Sequence, residues 1–470
     1  MSRKYFAAQD TNYTRRLAEY AVSLDFSDLP EEVVERVKMM TLHTLGVSLA
    51  AAPVALSGAS IRVAKAVNGG SGGGASVWIG GERLSAASAA FANGTIADIL
   101  DWEDCAWTGH PSAGVIPAAM AVAEERHCTG REYIAAVAAG LEVYQRVAMA
   151  VQPPADFDHN RGWALCNWQI FAACTPAAKL LKLDSRRMNQ TFGMACMYAA
   201  MPTNMQQATM SNAYHYQHGI AAQNGILAAL SAAGGVDNLE DCFDIPYAYC
   251  EQLTTAVDRS WLDRLLGEHF YTLDILIKHW PANMWLQTPL ELLSLMIAEH
   301  GIRPDEVEEI VLDPPTQYRM HSYEEGFSSL MEAQFSIPFV LAACLLDPQP
   351  GPNWYAPERL NSPEVIALAG RVKAGPGRET TLMESFIGYQ NGRHPEKTLT
   401  VKMKDGRVFS RTQSIHKGHP ADMLSREEFQ DLFRREASFA LSAERTEALI
   451  DFIGSLDQVH DMSSFHAHIA

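Results

Sequence analysis

Runs of small apolar residues, most of them alanine, recur along the first half of the chain with the spacing of buried or amphipathic helices. Small side chains let helices approach one another closely, so this pattern predicts a helical bundle rather than a sheet protein. The predicted helices span residues 12–27, 33–51, 85–100, 112–126, 129–151, 167–182, 185–200 and 215–233.

Glycine is concentrated between residues 52 and 84, with a cluster at 69–74. Such clusters can bind phosphate groups when they have GxGxxG spacing after a strand or end in the lysine of a P-loop. This cluster follows a helical run, has neither feature and precedes the sequence SVWIG. We interpret it as a flexible turn before a short strand.

The pattern changes near residue 271, where strand-like segments appear among the helices. A β-type run at 306–312 stops at two prolines, and alternating runs at 398–403 and 408–415 flank Asp405-Gly406, a dipeptide typical of hairpins. Helices are predicted here at 287–300 and 331–346. We therefore predict an α+β domain over residues 268–420.

Helical patterns return at 425–438 and 442–456, and these two helices can pack back onto the first bundle. The predicted fold class is therefore mainly α. A large all-helical domain would comprise residues 1–267 and 421–470, with the smaller α+β domain of residues 268–420 inserted between them.

The composition is that of an ordinary globular protein, with 470 residues, 47% of them apolar and 20% charged. The formal net charge of −18 argues against a nucleic-acid partner. The N-terminus lacks a signal-like apolar run, and no uncharged stretch is long enough to span a membrane, so we expect a cytoplasmic protein with no membrane partner. The eight cysteines form no CxxC pair, which indicates free thiols in a reducing compartment.

The irregular segment between the helices at 85–100 and 112–126 concentrates titratable groups. These are Asp98, Asp101, Glu103, Asp104, Cys105 and His110. A carboxylate and an imidazole can share proton transfer, so we predict Asp101 and His110 as the catalytic pair. The alternative is that Asp101 caps a helix and His110 fills the turn before Pro111. Cys105 is either a nucleophile or a buried structural thiol.

A second cluster, Tyr214, His215 and His218, opens the helix at 215–233. The two histidines lie three residues apart and share one helix face, where they could donate to an anion or pack as amphipathic rings. No third ligand follows at a recognised spacing and HExxH is absent, so we predict no metal. Lys278, near the predicted domain junction, could neutralise a substrate carboxylate or lie at the surface.

Several of these segments resemble the signature of the MmgE/PrpD family, which includes 2-methylcitrate dehydratase, cis-aconitate decarboxylase and iminodisuccinate epimerase. The similar segments are NG at 93–94, LDWED at 100–104, HPS at 110–112, PAA at 117–119, AAQNG at 221–225, KHWP at 278–281 and EAQFSIP at 332–338. They are spread over nearly the whole chain.

The resemblance implies a large helical domain built from both chain ends, a smaller inserted α+β domain and a homodimer. It also implies cofactor-independent chemistry on small di- or tricarboxylates in a cleft between the domains. Asp101 and His110 match active-site positions of the family motif, and Lys278 matches the lysine of its K-x-[YF]-P element. The predicted cofactor set is therefore empty, and the predicted partner is a small carboxylate substrate.

Other positions depart from the family pattern. Cys105 stands at the motif threonine and Asp98 at a motif histidine, and the segment around Trp163 lacks another histidine. Tyr214 and Phe339 replace the lysine and tyrosine of decarboxylase-like members, and Trp285 stands where several members carry a histidine. We predict that the altered positions choose the substrate. The predicted substrate-binding residues are Lys278, Tyr214, His215, His218, Cys105, Trp102, Trp163 and Phe339.

The first functional hypothesis is a hydro-lyase of the 2-methylcitrate dehydratase type that acts next to a carboxylate. The aromatic substitutions leave open an epimerase, isomerase or decarboxylase for a less charged, bulkier carboxylate. A third alternative is a binding or scaffold protein without catalysis. Which of Asp101 and His110 is the base stays open at this point.

Overall fold

Helices dominate the computed structural model, as the apolar pattern predicts. The structure describes residues 11–70, 72–106, 109–152, 166–199, 209–236, 239–381, 384–385, 388 and 395–470. The helices of the first half are α1 (Tyr13–Ser23), α2 (Glu31–Ala50), α3 (Ala55–Asn68), α4 (Ala86–Asp98), α5 (Ser112–Glu125), α6 (Gly130–Val151), α7 (Cys166–Leu180), α8 (Ser185–Tyr198), α9 (Tyr216–Ala233) and α10 (Tyr249–Leu253).

The second half mixes helices and strands. Its helices are α11 (Gln287–His300), α12 (Leu330–Gln334), α13 (Ile337–Leu346), α14 (Pro357–Leu360), α15 (Pro363–Ala369), α16 (Arg426–Ala437), α17 (Ala443–Gly454) and α18 (His466–Ile469). The strands of the chain are β1 (Ala75–Ser76), β2 (Arg83–Leu84), β3 (Asp104–Cys105), β4 (Leu276–Ile277), β5 (Val307–Asp313), β6 (Val372–Ala374), β7 (Lys397–Met403) and β8 (Val408–Gln413).

Local signals explain where several helices begin. Thr129 caps α6 by accepting a hydrogen bond from the backbone of Glu132, and Glu132 in turn accepts one from the backbone of Thr129 at 2.7 Å. This reciprocal pair satisfies amide groups that the first turn would leave unpaired. Ser85 and Asp184 cap α4 and α8 in a similar way.

Helices α4, α5 and α6 are buried on nearly all sides, which marks them as the centre of the bundle. By length and composition α6 could cross a membrane, but the apolar window of this helix is entirely buried inside the fold. The core helix of a globular bundle has the same properties, so its apolarity is explained by packing against its neighbours.

The helices near the C-terminus pack against α2, as the return of the helical pattern predicts. Phe433 and Glu436 of α16 lie directly against Gly46 of α2, where a Cβ atom would meet Glu436 Oε2 at 2.1 Å. Glu436 also approaches His43 Nδ1 at 3.3 Å, in a buried pair that joins the two ends of the chain. The boundaries of the two domains stay a prediction.

Four strands form one mixed sheet in the order β6-β5-β7-β8. Strand β5 pairs with β6 in parallel and with β7 antiparallel, and β7 and β8 form the hairpin that Asp405-Gly406 predicts. Side chains alternate between buried and partly exposed along β7, while β8 is mostly exposed, because helix α11 covers only one face of the sheet.

Two predicted elements differ in the structure. Helix α3 occupies residues 55–68, which the sequence analysis assigned to a glycine-rich turn, because the glycines begin only where this helix ends at Gly69. The single helix predicted at 331–346 is divided between α12 and α13. Ser336 interrupts it, because its side chain accepts a hydrogen bond from Phe339 N at 3.1 Å and starts a new helix.

Because α9 and α7 are in close contact, a methyl group added at Gly225 should destabilise the protein. A Cβ atom on Gly225 would lie 2.6 Å from Ala173 Cβ and 2.7 Å from Cys174 N, so Gly225→Ala should lower the free energy of unfolding by about 1–3 kcal/mol. Gly58→Ala in α3 is the matched control, since a Cβ there meets only the flexible end of Arg62. It should be neutral or raise stability by about 0.5–1 kcal/mol. Urea titrations would measure both, and equal stability of the two variants would contradict this packing.

Candidate active site

A short strand pairing brings Lys278 to the loop between α4 and α5. Strand β3 in that loop pairs antiparallel with β4, with Asp104 opposite Ile277, so the residue after β4 lies beside the loop. Lys278 Nζ donates to the carbonyl oxygen of Asp101 at 2.8 Å and to its carboxylate. Asp101 has a φ of 48°, and this uncommon conformation for a non-glycine residue is held by the two bonds from Lys278.

The Lys278 ammonium is completely buried between two carboxylates, those of Asp101 and Glu103, and lies 3.2 Å from Glu103 Oε1. Burial lowers the pKa of Lys278, but Asp101 and Glu103 outweigh burial and raise it, so the lysine stays charged. Burial raises the pKa of Asp101 despite Lys278. For Glu103, burial raises the pKa, and Lys278 with His110 brings it below its usual range.

His110 is the second cation at Glu103. Its Nδ1 lies 2.5 Å from Glu103 Oε1 and 3.0 Å from the carbonyl oxygen of Asp104, and its Nε2 lies 3.4 Å from the Tyr214 hydroxyl. Burial and Lys278 lower the pKa of His110, but the carboxylates of Glu103 and Asp101 raise it to about 9. At neutral pH His110 is therefore an imidazolium that can donate a proton.

Asp98 binds both histidines of the second cluster because α4 and α9 approach closely. Gly219 of α9 leaves no room for a Cβ, which would meet Thr95 Oγ1 at 2.1 Å. The carboxylate of Asp98 at the end of α4 then lies 2.9 Å from His215 Nδ1 and 3.3 Å from His218 Nε2.

The three side chains are fully buried. Burial alone raises the pKa of Asp98, but His218 and His215 outweigh it and hold the pKa far below its usual range. His215 Nε2 has no hydrogen-bond partner among the described residues. An imidazole held at Nδ1 by a carboxylate with Nε2 unoccupied is suited to accept a proton. The His218 ring packs edge-on against His110, with centroids 5.5 Å apart, so the two clusters form one site.

Hydrogen bonds from α2, α5 and α7 hold the loop in place. Asp104 accepts hydrogen bonds from the Ser112 hydroxyl at 2.5 Å and from the Ser112 backbone at 3.3 Å, at the start of α5. Burial raises the pKa of Asp104 to about 6, although Ser112 opposes the shift. His43 Nε2 lies 3.0 Å from the carbonyl oxygen of Trp102, and Gln169 donates to that of His110 at 2.9 Å.

The remaining predicted site residues lie in different surroundings. Burial raises the pKa of the Cys105 thiol, whose sulfur lies 3.0 Å from Met284 Sδ, so it is a neutral thiol in the core rather than an activated nucleophile. The Trp102 side chain is fully buried, and Phe339 packs between Phe327 and Tyr355. Trp163 lies outside the described residues. Substrate binding by these four residues stays a prediction.

Sequence reasoning assigned no role to two residues of the site, and it passed over a buried arginine near it. Glu103 and Asp98 stand in the acidic segment, but only the fold reveals that one pairs with Lys278 and His110 and the other with two histidines. Arg319 lies in a turn after β5 and stacks on Phe335, with its guanidinium carbon 4.4 Å from the ring centroid. A single arginine in TQYRMHS has no spacing that could have identified it.

Three of these groups are close enough to be considered as metal ligands. One ligand atom each from Asp98, Glu103 and His110 lies within 4.8 Å of the others. The Lys278 ammonium, however, lies 3.2 Å from Glu103 and 3.3 Å from His110 Nδ1, so a cation already occupies this point. We keep the prediction that no metal is needed.

Comparison with known proteins agrees with the shared segments. The MmgE/PrpD N-terminal domain model matches residues 15–261, and the MmgE/PrpD C-terminal domain model matches residues 280–458. The chain belongs to the MmgE/PrpD family. Cis-aconitate decarboxylase of Homo sapiens is 26% identical over 96% of this chain and 93% of its own length. Cis-aconitate decarboxylase of Aspergillus terreus is 24% identical over 96% of this chain and 94% of its own length.

Membership makes this chain an enzyme of the lyase type, at the level of the MmgE/PrpD family. A third relative, the cis-aconitate decarboxylase-like protein oryM of Aspergillus oryzae, is 24% identical over 98% of this chain. Identities of 24–26% leave the individual substrate open. The Asp101, His110 and Lys278 positions implied by the family motif come together in one buried cluster.

The charge state of His110 gives a prediction that needs no substrate. We expect its imidazole to titrate near pH 9, and Glu103→Gln to move that pKa down because the carboxylate at 2.5 Å is lost. Unfolded histidine titrates near 6.5, so the raised pKa contributes stability that is complete below about pH 6.5 and is lost as the pH rises through about 9.

Histidine NMR titration would measure this shift. Asp461→Asn is the matched control, because Asp461 pairs with the exposed His127 and should leave His110 unchanged. A wild-type His110 that titrates at or below 6.5 would contradict the proposed ion pair with Glu103.

Proposed function

We propose that the protein is a cofactor-independent hydro-lyase of the 2-methylcitrate dehydratase type, which acts next to a carboxylate of a small organic acid. The observation that carries this proposal is the presence of an acid and a base in one buried site. His110 is protonated at neutral pH, and His215 presents an unoccupied Nε2 while Asp98 holds its Nδ1. Elimination of water needs both functions.

In the proposed reaction His215 Nε2 removes a proton from the carbon next to the substrate carboxylate. The electron pair of that C–H bond forms the alkene as the neighbouring C–O bond breaks. His110 donates its proton to the leaving hydroxyl group, which departs as water. Asp98 stabilises the imidazolium that forms on His215, and Glu103 with Lys278 keeps His110 oriented.

In this proposal neither Asp101 nor His110 is the base. Asp101 carries two bonds from Lys278, which position its backbone and carboxylate, so we assign it a positioning role in the loop. His110 becomes the acid, because its raised pKa keeps it protonated.

Decarboxylation is the second candidate, because the relatives from Homo sapiens and Aspergillus terreus carry that activity in their names. Loss of carbon dioxide would leave a carbanion next to a carboxylate, which His110 could protonate without any base. We rank it second because Tyr214 and Phe339 stand where decarboxylase-like members carry lysine and tyrosine. We further propose a homodimer in the cytoplasm, in accord with the family resemblance and the free thiols of the described cysteines.

A substrate panel distinguishes these reactions. Hydroxylated and unsaturated di- and tricarboxylates would be incubated with the protein in D₂O. We expect alkene absorbance without carbon dioxide, and unchanged rates after treatment with a chelator. Release of carbon dioxide would indicate a decarboxylase. Exchange of α-deuterium without an alkene would indicate an epimerase, and no reaction with any acid of the panel would indicate a binding protein. Inhibition by the chelator would contradict the metal-free mechanism.

Variants test the two proton-transfer roles. His110→Gln and His215→Gln should each lower kcat by roughly 10²–10⁴-fold, as expected for loss of a general acid or base. Asp98→Asn should also lower kcat, because His215 would lose its charged partner. His127→Gln, at an exposed position, is the control and should keep full activity. Full activity of His110→Gln would refute the acid assignment.

A further inference from the structure

Arg319 is a deeply buried arginine that has no acidic partner in the described part of the chain. Arg319 is 6% exposed, and its Nε makes no hydrogen bond with the described residues. Its guanidinium carbon lies over two aromatic rings, 4.4 Å from the Phe335 centroid and 5.1 Å from that of Tyr318. A buried charge without a counter-ion is costly, so it calls for an explanation.

The other buried arginine of the described chain provides a contrast. Arg146 approaches Glu142 at 3.4 Å and donates to the carbonyl oxygens of Arg264 and His269 at 2.6 and 3.3 Å. Lys278 in the site is likewise bound to Asp101 and Glu103. Unlike these two cations, Arg319 forms no ion pair with a carboxylate of the described residues, and its Nε is available to a ligand.

Arg319 also lies near the candidate active site. Burial lowers the pKa of Arg319, and Tyr318, Asp101 and Tyr214 oppose this shift from nearby. Phe335 also packs against Tyr214, whose ring meets it edge-on with the centroids 5.7 Å apart. The hydroxyl group of Tyr214 in turn reaches His110 Nε2 at 3.4 Å. A continuous series of side-chain contacts, from Arg319 to Phe335, Tyr214 and His110, therefore links the guanidinium to the proposed acid.

We propose that Arg319 binds a substrate carboxylate remote from the reacting carbon. A guanidinium presents paired N–H groups that match the two oxygens of a carboxylate, and the buried surroundings strengthen this pair. The inference rests on the proposed function for the reaction, but it assigns the carboxylate-binding role to Arg319 rather than to Lys278. It also favours a substrate with at least two carboxylates over the less charged substrate that the aromatic substitutions suggest.

Binding of two matched probes tests this role. Succinate and its monoamide succinamate have nearly the same size but differ by one carboxylate. We expect calorimetry to give tighter binding of succinate by the wild-type protein, and Arg319→Met to weaken succinate binding roughly 10- to 100-fold and to remove most of the preference for succinate over succinamate. Arg319→Lys should recover part of the preference, since it restores charge without the paired donors.

The controls separate the possible failures. Methionine can keep the packing on Phe335, and thermal unfolding of Arg319→Met without ligand would verify that the fold is intact. Arg303→Met, at an exposed arginine, should leave both affinities unchanged. Equal affinities of the wild type for the two probes, or an undiminished preference in Arg319→Met, would overturn the inference.

The same variants distinguish this inference from the proposed reaction. An Arg319-dependent preference in a protein that transforms no acid of the substrate panel would support the binding role and refute the hydro-lyase. An active hydro-lyase whose succinate preference does not depend on Arg319 would refute the binding role alone. His110→Gln should keep the preference for succinate even where catalysis is lost.

Discussion

The burial of one ammonium group determines the arrangement of the candidate active site. Lys278 is completely enclosed, and a charge in such surroundings is stable only where oppositely charged groups surround it. Asp101 and Glu103 provide those groups from a loop that is about 175 residues away along the chain. Removing Lys278 would leave Asp101 and Glu103 buried without this cation, so the ion pairs bind the loop and β4 to each other.

The same ion pairs also position the side chains that would perform the proposed chemistry. Because Glu103 is shared between Lys278 and His110, the imidazole is both oriented and kept protonated. A few ångströms away, Asp98 shows the reverse arrangement, because one carboxylate lies against two imidazoles, those of His215 and His218. Similar side chains therefore acquire different roles from their charged neighbours, as in other enzymes that use like residues as acid and base.

Sequence patterns predicted those parts of the structure that depend on neighbours along the chain. Thr129 and Glu132 lie within one helical turn, and Asp405-Gly406 defines its own hairpin, so both could be recognised without tertiary information. Helix α3 was missed because the glycines beyond its end dominated the local composition. For the site, the acidic segment and the family resemblance pointed to Asp101, His110 and Lys278, which the structure brings together. The pairings of Asp98 and Glu103 and the position of Arg319 depend on which segments approach each other in the fold, and the local sequence does not show that.

The pair of His43 and Glu436 links the order of synthesis to the assembly of the site. His43 contacts the carbonyl oxygen of Trp102 in the loop, and its other ring nitrogen faces Glu436 of α16. The loop thus receives support from a residue that is synthesised more than 300 residues after Trp102. Domains that fold during translation usually consolidate from the N-terminus onwards. Here the loop lacks the support of Glu436 until α16 has been made, so it reaches its final alignment only after the strands of the second half have been synthesised.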